Sequence, residues 1–254
     1  DLNTVSVVVV NQTASGHEIT EERPNVKVIN SFGKGLANSR NLALKHATAP
    51  ICLIADDDVK YPAGFSEKIW NAFKEYPQSD IITFQIETFE GVPYTKYPKK
   101  PIKKAGIFKI LGTSSIEIAF RREKIIENNL FFNPLFGLGG TFNGSLEQVF
   151  LTDAQKKGLL VSYVPTVIVQ HAWYSSGKDY GTERYYEVRG ALYRHIFGKL
   201  WWFWLAIQLF FNLKHGQTTL HQMVKNCNIA TNGQKKYIEY TKNEKYHGSP
   251  VFRN

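Results

Sequence analysis

"ICLIADDDVKYP", residues 51–62, runs an apolar stretch straight into three consecutive carboxylates, Asp56, Asp57 and Asp58. Unit charges ~4 Å apart repel by about 1 kcal/mol even at the dielectric of water, and by more inside a protein. ICLIA reads as a strand, so the triplet falls at its carboxyl end, the edge where open α/β sheets bind ligands. If the chain stays extended there, Asp56 and Asp58 point one way and Asp57 the other. Two hard oxygen donors on one side suit Mg²⁺ or Mn²⁺, which bind few carboxylates and keep places for substrate phosphates. The plainer alternative is an acidic turn whose charges are solvated.

Outward from this stretch, strands and helices alternate. VSVVVV (5–10) is a continuous β-branched run and predicts a buried parallel strand; VKVIN (26–30) predicts a second. "SFGKGLANSRNLALKHA" then turns through Gly33 and Gly35 into a helix whose apolar face carries Leu36, Ala43, Leu44 and Ala47. Pro50 stops that helix, and Pro62 opens the next. DIITFQI (80–86) and SIEIAF (115–120) predict further strands. Between them, "YTKYPKKPIKK" reads as a mobile basic loop within 87–104. "NPLFGLGGTFNGS" is a glycine-rich loop, "SLEQVFLTDAQKKG" a helix ended by Gly158, and LLVSYV leads on to TVIVQH. The expected fold class is α/β, a Rossmann-like, mostly parallel sheet flanked by helices.

From residue 182 the pattern turns helical, which divides the chain into 1–181 and a helical extension, 182–254. "KLWWFWLAIQLFFNLK" (199–214) stands out there. Its apolar core of about 14 residues falls short of the ~20 that span a bilayer. It is either a buried helix or an interfacial one, with aromatics at headgroup depth and Lys199 and Lys214 flanking it.

The chain of 254 residues is 43% hydrophobic, enough for a full core, and carries a net charge of +9. That balance excludes a disordered chain and suits an acidic partner: nucleotide phosphates, anionic lipid or nucleic acid. Cys52 and Cys227 match no metal spacing, which points to a reducing, cytoplasmic compartment. No signal peptide is visible, and with Asp1 first and the single Met at 223, the N-terminus reads as processed or trimmed.

Arg40 lies four residues after Leu36 and four before Leu44, so it sits on the face toward the sheet and near the aspartates. It can pair with a carboxylate or grip a phosphate bidentately. Here the residues carry a resemblance. "GKGLANSRNLALKHATAPICLIADDDVKYP" resembles the donor-site segment of family 2 glycosyltransferases, which have the GT-A fold: a glycine, an Arg-Asn pair, then a strand ending in D-x-D. "GLGGTFNGSLEQVFLTDAQKKGLLVSYVP" is similar to the family's later signature of glycine-rich loop, acidic pair at a helix start, glycine, strand and proline, with Leu146 in place of the first acid. The spacing of VSVVVVNQ from Arg40 matches the family's second strand, so the first strand-helix unit is apparently missing from this chain. Where family members have acids that read the nucleotide base, this sequence has Asn11 and Gln12.

The resemblance implies an enzyme, a glycosyltransferase using a nucleotide-sugar donor and Mn²⁺ or Mg²⁺, with inversion. It implies donor contacts from Asn11, Gly35, Arg40, Asp56 and Asp57, a metal site from Asp58 and Asp56 joined by His171, and Glu147 as general base. Such a base takes the acceptor hydroxyl's proton as it attacks. Read without the family, Ser145-Leu146-Glu147-Gln148 is a capping box, and an acid in a first helical turn is common for stability alone. Asp153 is the poorer base candidate, two turns into the same helix. The implied acceptor is a growing glycan or a lipid-linked one at the inner face of a bacterial membrane, with peripheral contact through 199–214. Two rivals stand beside this reading. One is a non-catalytic GT-A-like domain that binds nucleotide or glycan; the other is a basic membrane or nucleic-acid binding module. Nucleic acid is not expected, because three carboxylates at the sheet edge repel phosphate unless a metal intervenes.

Overall fold

A computed structural model describes residues 5–173 and 181–242. The remaining expected C-terminal stretch, 243–254, lies outside the described residues. In chain order the elements are β1 (Val7–Gln12), β2 (Val26–Ser31), α1 (Leu36–His46), β3 (Ile51–Leu53), α2 (Phe65–Glu75), β4 (Ile81–Thr88) and α3 (Ile107–Leu111). There follow β5 (Ile118–Arg121), α4 (Arg122–Glu127), α5 (Leu146–Lys156), β6 (Val161–His171), α6 (Glu183–Phe197), α7 (Trp201–Lys214) and α8 (Leu220–Lys242).

The main sheet has the order β3-β5-β4-β6, and β1 pairs with β2 in a separate parallel ribbon. β4 and β6 are parallel, but β5 runs antiparallel to both β3 and β4. The sheet is therefore more mixed than alternation alone suggests. β1 is half-buried along most of its length, not buried, since a two-stranded ribbon has no neighbouring strands to cover it. LLVSYV and TVIVQH are one strand, β6, and its pairing with β4 shifts register near Pro165.

Period-two alternation distributes β4 between two cores. Ile82, Phe84 and Ile86 pack with Phe65, Ile69 and Phe73 of α2. Ile81 turns to the other face, with Ile118, Phe120 and the helices α1 and α5. That second core continues through Tyr186, Ala191, Leu192, Leu205, Leu209 and Ala230, so α6, α7 and α8 share it. Cys52 packs against the same core, and burial pushes its thiol up to about 11, an unreactive state.

The stretch 87–104 is not a free loop. Ile102 and Tyr163 exchange two backbone hydrogen bonds of 2.9 Å, and Ala105 N–H donates to Val161 O at 2.7 Å. Its Tyr97 hydroxyl donates to the buried Glu117 carboxylate at 3.2 Å and accepts from Ile86 N at 3.1 Å. Lys109 pairs with Glu117 at 3.0 Å. Lysine-rich sequence signalled mobility, but the aromatic and apolar residues between the lysines anchor the segment along β6.

Residues 183–214 are long and apolar enough, by length and composition, to cross a membrane. They do not form one straight rod. Gly198, with φ +59°, ends α6, and α7 folds back along it. Tyr193 Oη donates to Gln208 at 2.8 Å, Asn212 donates to Tyr186 Oη at 2.9 Å, and the rings of Phe197 and Trp204 stack at 4.2 Å. These pairs descend one helix as they ascend the other, so the two are antiparallel. α7 alone, at 14 residues, is about 21 Å long, shorter than the ~30 Å hydrocarbon core. α8 then runs parallel to α6, with Lys225–Glu183 near one end (2.6 Å) and His195–Tyr237 near the other (2.8 Å).

Candidate active site

β3 stops at Leu53, and Ile54 extends its pairing by donating to Ile118 O at 3.1 Å. The aspartates follow in a turn, not in extended chain, so the simple alternation of their directions does not hold. Beyond the turn, Lys60 and Gln170 exchange backbone hydrogen bonds of 2.9 and 2.7 Å. This clamp brings the triplet against the end of β6, where His171 sits.

Arg40 is the hub. Its side chain is 9% exposed, and it donates to Asp56 Oδ1 at 3.1 Å and to Glu147 Oε1 at 2.8 Å. A guanidinium fork suits two carboxylates at once. Arg40 faces the sheet as its spacing predicts, and of its two expected roles the structure shows the carboxylate pairing. Beside it, Asn41 accepts from Phe132 N–H at 2.7 Å and donates to Phe132 O at 2.8 Å, fixing α1 to the chain that leads into the glycine-rich loop. Gly35, with φ +109°, abuts Gly139: a Cβ on Gly139 would meet the Gly35 Cα at 2.9 Å. Leu36 N–H donates to Leu138 O at 2.8 Å, so the two glycine-containing segments are one joint.

A cavity of about 340 Å³ opens between these parts, lined among others by Arg40, Asp56, Glu147, Gln148 and His171. The capping box expected at the start of α5 does not form. Ser145 takes the left-handed conformation (φ +59°) without a side-chain cap, and Gln148 donates instead to Thr113 O at 2.9 Å. The first turn of α5 serves the cavity wall. Gln148 Oε1 is buried there without a hydrogen-bond partner among the described residues. Asp153 faces away, bonded to His195 at 2.7 Å and Lys156 at 3.2 Å.

Asp56 also accepts from Ser115 Oγ at 3.1 Å, so both of its oxygens are engaged, by Arg40 and by Ser115. Tyr61 lies close by; burial, helped by the Asp56 charge, pushes its phenol up to about 12 and keeps it neutral. Asp57 is exposed and reaches none of the cavity lining. Asp58 is exposed at the rim, with Oδ2 3.2 Å from His171 Nε2. His171 Nδ1 is 2.7 Å from Ala172 O, and a carbonyl can only accept, so Nδ1 carries the hydrogen. In its neutral form His171 presents a bare Nε2 lone pair to that carboxylate; in its protonated form it donates to it. Two acceptors at that distance need a cation or a proton between them. An imidazole that donates its other N–H to a backbone carbonyl is a common metal-ligand arrangement, and one carboxylate plus one imidazole fits Mn²⁺ or Mg²⁺ completed by phosphate oxygens. Among the described residues no group of three or more His, Cys, Asp or Glu converges on one point, so Asp56 does not join this pair.

Asn11 lies on the β1–β2 ribbon, donating to Asn30 Oδ1 at 2.9 Å; neither it nor Gly35 lines the cavity. Ser115, Tyr94, Arg184 and Arg189 line it and belong to neither sequence signature; Gln148 lies in the second, where the sequence reads it only as part of a cap. Ser114 and Glu117 form a capping box around Ser115, which fixes the local turn but does not reveal its bond to Asp56.

The family model "Glycosyl transferase family 2" matches residues 4–145, more than half of the chain. No curated protein matches the sequence. Among solved structures, the fold is similar to S. aureus TarS residues 1–349, at 15% identity and TM-score 0.53, covering 94% of this chain and 64% of that one. The complex of TarS 1–349 with UDP-GlcNAc aligns at 18% identity and TM-score 0.56, covering 76% of this chain and 58% of that one. This chain thus spans less than two thirds of those structures. The α/β architecture is GT-A, and the chain belongs to glycosyl transferase family 2.

Proposed function

We propose that this chain transfers a sugar from a nucleotide-sugar donor to a glycan or lipid-linked acceptor, with inversion at the anomeric carbon. The observation that carries the reading is the Glu147–Arg40–Asp56 chain across the cavity wall. It links the candidate base to the donor-side carboxylate through one semi-buried cation. Arg40 engages Glu147 Oε1, and among the described residues Oε2 accepts no hydrogen bond. Oε2 takes the proton of the acceptor hydroxyl as its oxygen attacks the anomeric carbon, opposite the departing nucleoside diphosphate. The Arg40 bond fixes the carboxylate's orientation while this happens, and Asp56 is held by Ser115 for the donor.

Asp58 and His171 would hold the divalent cation, whose chemistry is to offset the charge of the leaving diphosphate. UDP-GlcNAc, bound by TarS in one of the similar structures, makes uridine diphosphate the first nucleotide to try. We place the enzyme in the cytoplasm at the inner face of a bacterial plasma membrane, in polysaccharide synthesis. Supporting this are the net charge of +9 and the outer face of α7, where Trp202 and Phe210 are exposed.

Calorimetric titration with UDP, GDP, CDP and dTDP, each with Mn²⁺, tests the reading on the wild type and on Asp58→Asn. The expected result is metal-dependent binding of one nucleotide, lost in the variant, and turnover that Glu147→Gln abolishes. Nucleotide binding without turnover on any acceptor would leave a binding domain; no nucleotide binding would overturn the reading.

A further inference from the structure

A second, apolar groove adjoins the cavity that Glu147 lines. This groove of about 310 Å³ lies between α3, α6 and α7, and it shares Leu111, Gly112, Tyr185 and Arg189 with the cavity that holds Glu147. Beyond those shared residues the wall is almost wholly apolar: Phe108, Tyr193, Trp204, Ile207 and Phe211, with Gln208 as the exception. At the open rim Phe108 is 68% exposed and Phe211 44%.

Helical spacing explains why this wall exists. α7 is apolar on three stripes. Leu205, Leu209 and Asn212 face the core. Trp202, Phe203 and Phe210 face outward. Trp204, Ile207, Gln208 and Phe211 recur at i, i+3, i+4 and i+7 and face the groove. Packing within the described chain covers the first stripe fully and the groove stripe in part, through Trp204 on Phe197 and Gln208 on Tyr193. A helix apolar all round belongs in a core or in lipid, so the outward stripe and the open end of the groove at Phe211 are suited to an apolar partner from outside the described chain. The groove stripe is about 10 Å long, from Trp204 to Phe211.

We infer that the groove receives the hydrocarbon tail of the acceptor, so that the acceptor is a phosphate-bearing amphiphile delivered from the membrane. This rests on the transferase reading above. An occupant that reaches Glu147 through the shared walls must be polar at the cavity end and apolar along α7. At the junction the Arg189 guanidinium lies 4.9 Å from the Tyr185 ring centre, placing a cation where head and tail meet. Arg184 lines the same cavity. Guanidinium groups suit phosphate, and the outer stripe of α7 sets the mouth of the groove beside the lipid surface. Of the alternatives left by the sequence, free glycan and lipid-linked acceptor, the second is the one that uses these apolar walls.

The test uses the full chain and farnesyl phosphate as probe, followed by tryptophan fluorescence, with UDP and Mn²⁺ binding measured on the same samples. Phe108→Asp and Phe211→Asp alter exposed rim positions, so folding survives. The expected result is wild-type binding that weakens at least tenfold in both variants, with UDP binding unchanged. Trp202→Asp, on the outer stripe, should leave farnesyl phosphate binding intact while lowering capture by phosphatidylglycerol vesicles. Three results would overturn the inference: no binding of the probe, equal binding by both rim variants, or equally tight binding of dioctanoyl phosphatidylglycerol, which would make the groove a site for bulk lipid. Loss of UDP binding alone, with the rim effects intact, would sink the transferase reading and leave the groove standing.

Discussion

At the sheet edge, side chains hold one another through charge: Arg40 between Asp56 and Glu147, and Lys109 against Glu117. In the C-terminal helices, backbones hold one another through contact. A Cβ on Gly190 would lie 1.8 Å from Ala230 O, and one on Gly233 would lie 2.1 Å from Glu187 O. The first region gathers its polar groups around the cavity and depends on their pairing. The second is a rigid frame that tolerates no added atom along the α6–α8 seam but leaves two faces of α7 to be covered from outside.

The largest effect should come from the charged side. Glu147→Gln keeps the Arg40 hydrogen bond and the shape but removes the proton acceptor. Turnover should fall about 10²- to 10⁴-fold, with nucleotide affinity within twofold of wild type. Steady-state rates and titration on the same protein separate the two. A variant with full turnover would move the base elsewhere and break the contrast at its sharpest point.

Next is the frame. Gly190→Ala forces α6 and α8 apart, because the obstructing atom is backbone and cannot swing aside. We expect a loss of about 3 kcal/mol, the upper part of the usual overpacking range. Since α6 and α8 share the core of α1 and α5, thermal melting should stay a single transition at lower temperature. Two separate transitions would mean that the helices are a detachable appendage.

The difference between the regions also explains what the sequence revealed. Most of the strands, the inward face of Arg40 and the helix start at Glu147 follow from local periodicity and spacing; that Glu147 belongs with the aspartates comes from the family resemblance, and SIEIAF is strand only from Ile118. Ser115 and Gln148 do not follow from local pattern, because their partners, Asp56 and Thr113, lie 59 and 35 residues away in the chain. Local pattern even misled at Ser145: a capping box is the cheapest way to satisfy a helix end, but tertiary contacts offered Gln148 a carbonyl instead. The anchoring of 87–104 was hidden in the same way, since lysines dominate its composition while Tyr97 and Ile102 decide its position. The fold-back at Gly198 is not legible in the sequence: the apolar core of 199–214 reads as too short to span a bilayer, but no local pattern fixes where α6 ends.

Two carboxylates, Glu117 buried and Asp153 half-buried, sharpen the comparison further through pH, because their signs are opposite. Glu117 lies under the sheet-edge loop. Burial pushes its carboxyl above the ordinary 4.5, with Lys109 only partly offsetting that. The folded state thus binds this proton more tightly than the unfolded state. Its contribution to stability is fully present below 4.5 and is lost as pH rises through the folded value. Lys109→Met removes the counter-charge and should cost about 3 kcal/mol at neutral pH. The deficit should shrink on acidification as Glu117 protonates, and urea titrations from pH 7 to 5 would read it. A deficit that does not vary with pH would mean that Lys109 acts by packing over the Tyr163 ring, 4.8 Å away, and not by charge.

Asp153, at the joint of α5 and α6, should show the reverse with the smallest amplitude. Burial alone would raise its carboxyl, but hydrogen bonds and charge from His195 and then Lys156 outweigh burial and hold it below the ordinary 3.8. The folded state therefore binds this proton less tightly than the unfolded one. The stabilisation is present above 3.8 and is lost as pH falls through the folded value. Asp153→Asn should cost about 1.5 kcal/mol at pH 6, the low end for a hydrogen bond to a charged group. Between pH 4 and 3 the difference from wild type should narrow. Nucleotide binding should stay unchanged throughout, since Asp153 faces away from the cavity that Glu147 lines on the same helix. If Asp153→Asn instead impaired turnover as strongly as Glu147→Gln, the helical frame and the charged edge would have to be treated as one catalytic unit, with His195 and Tyr237 relaying the position of α5.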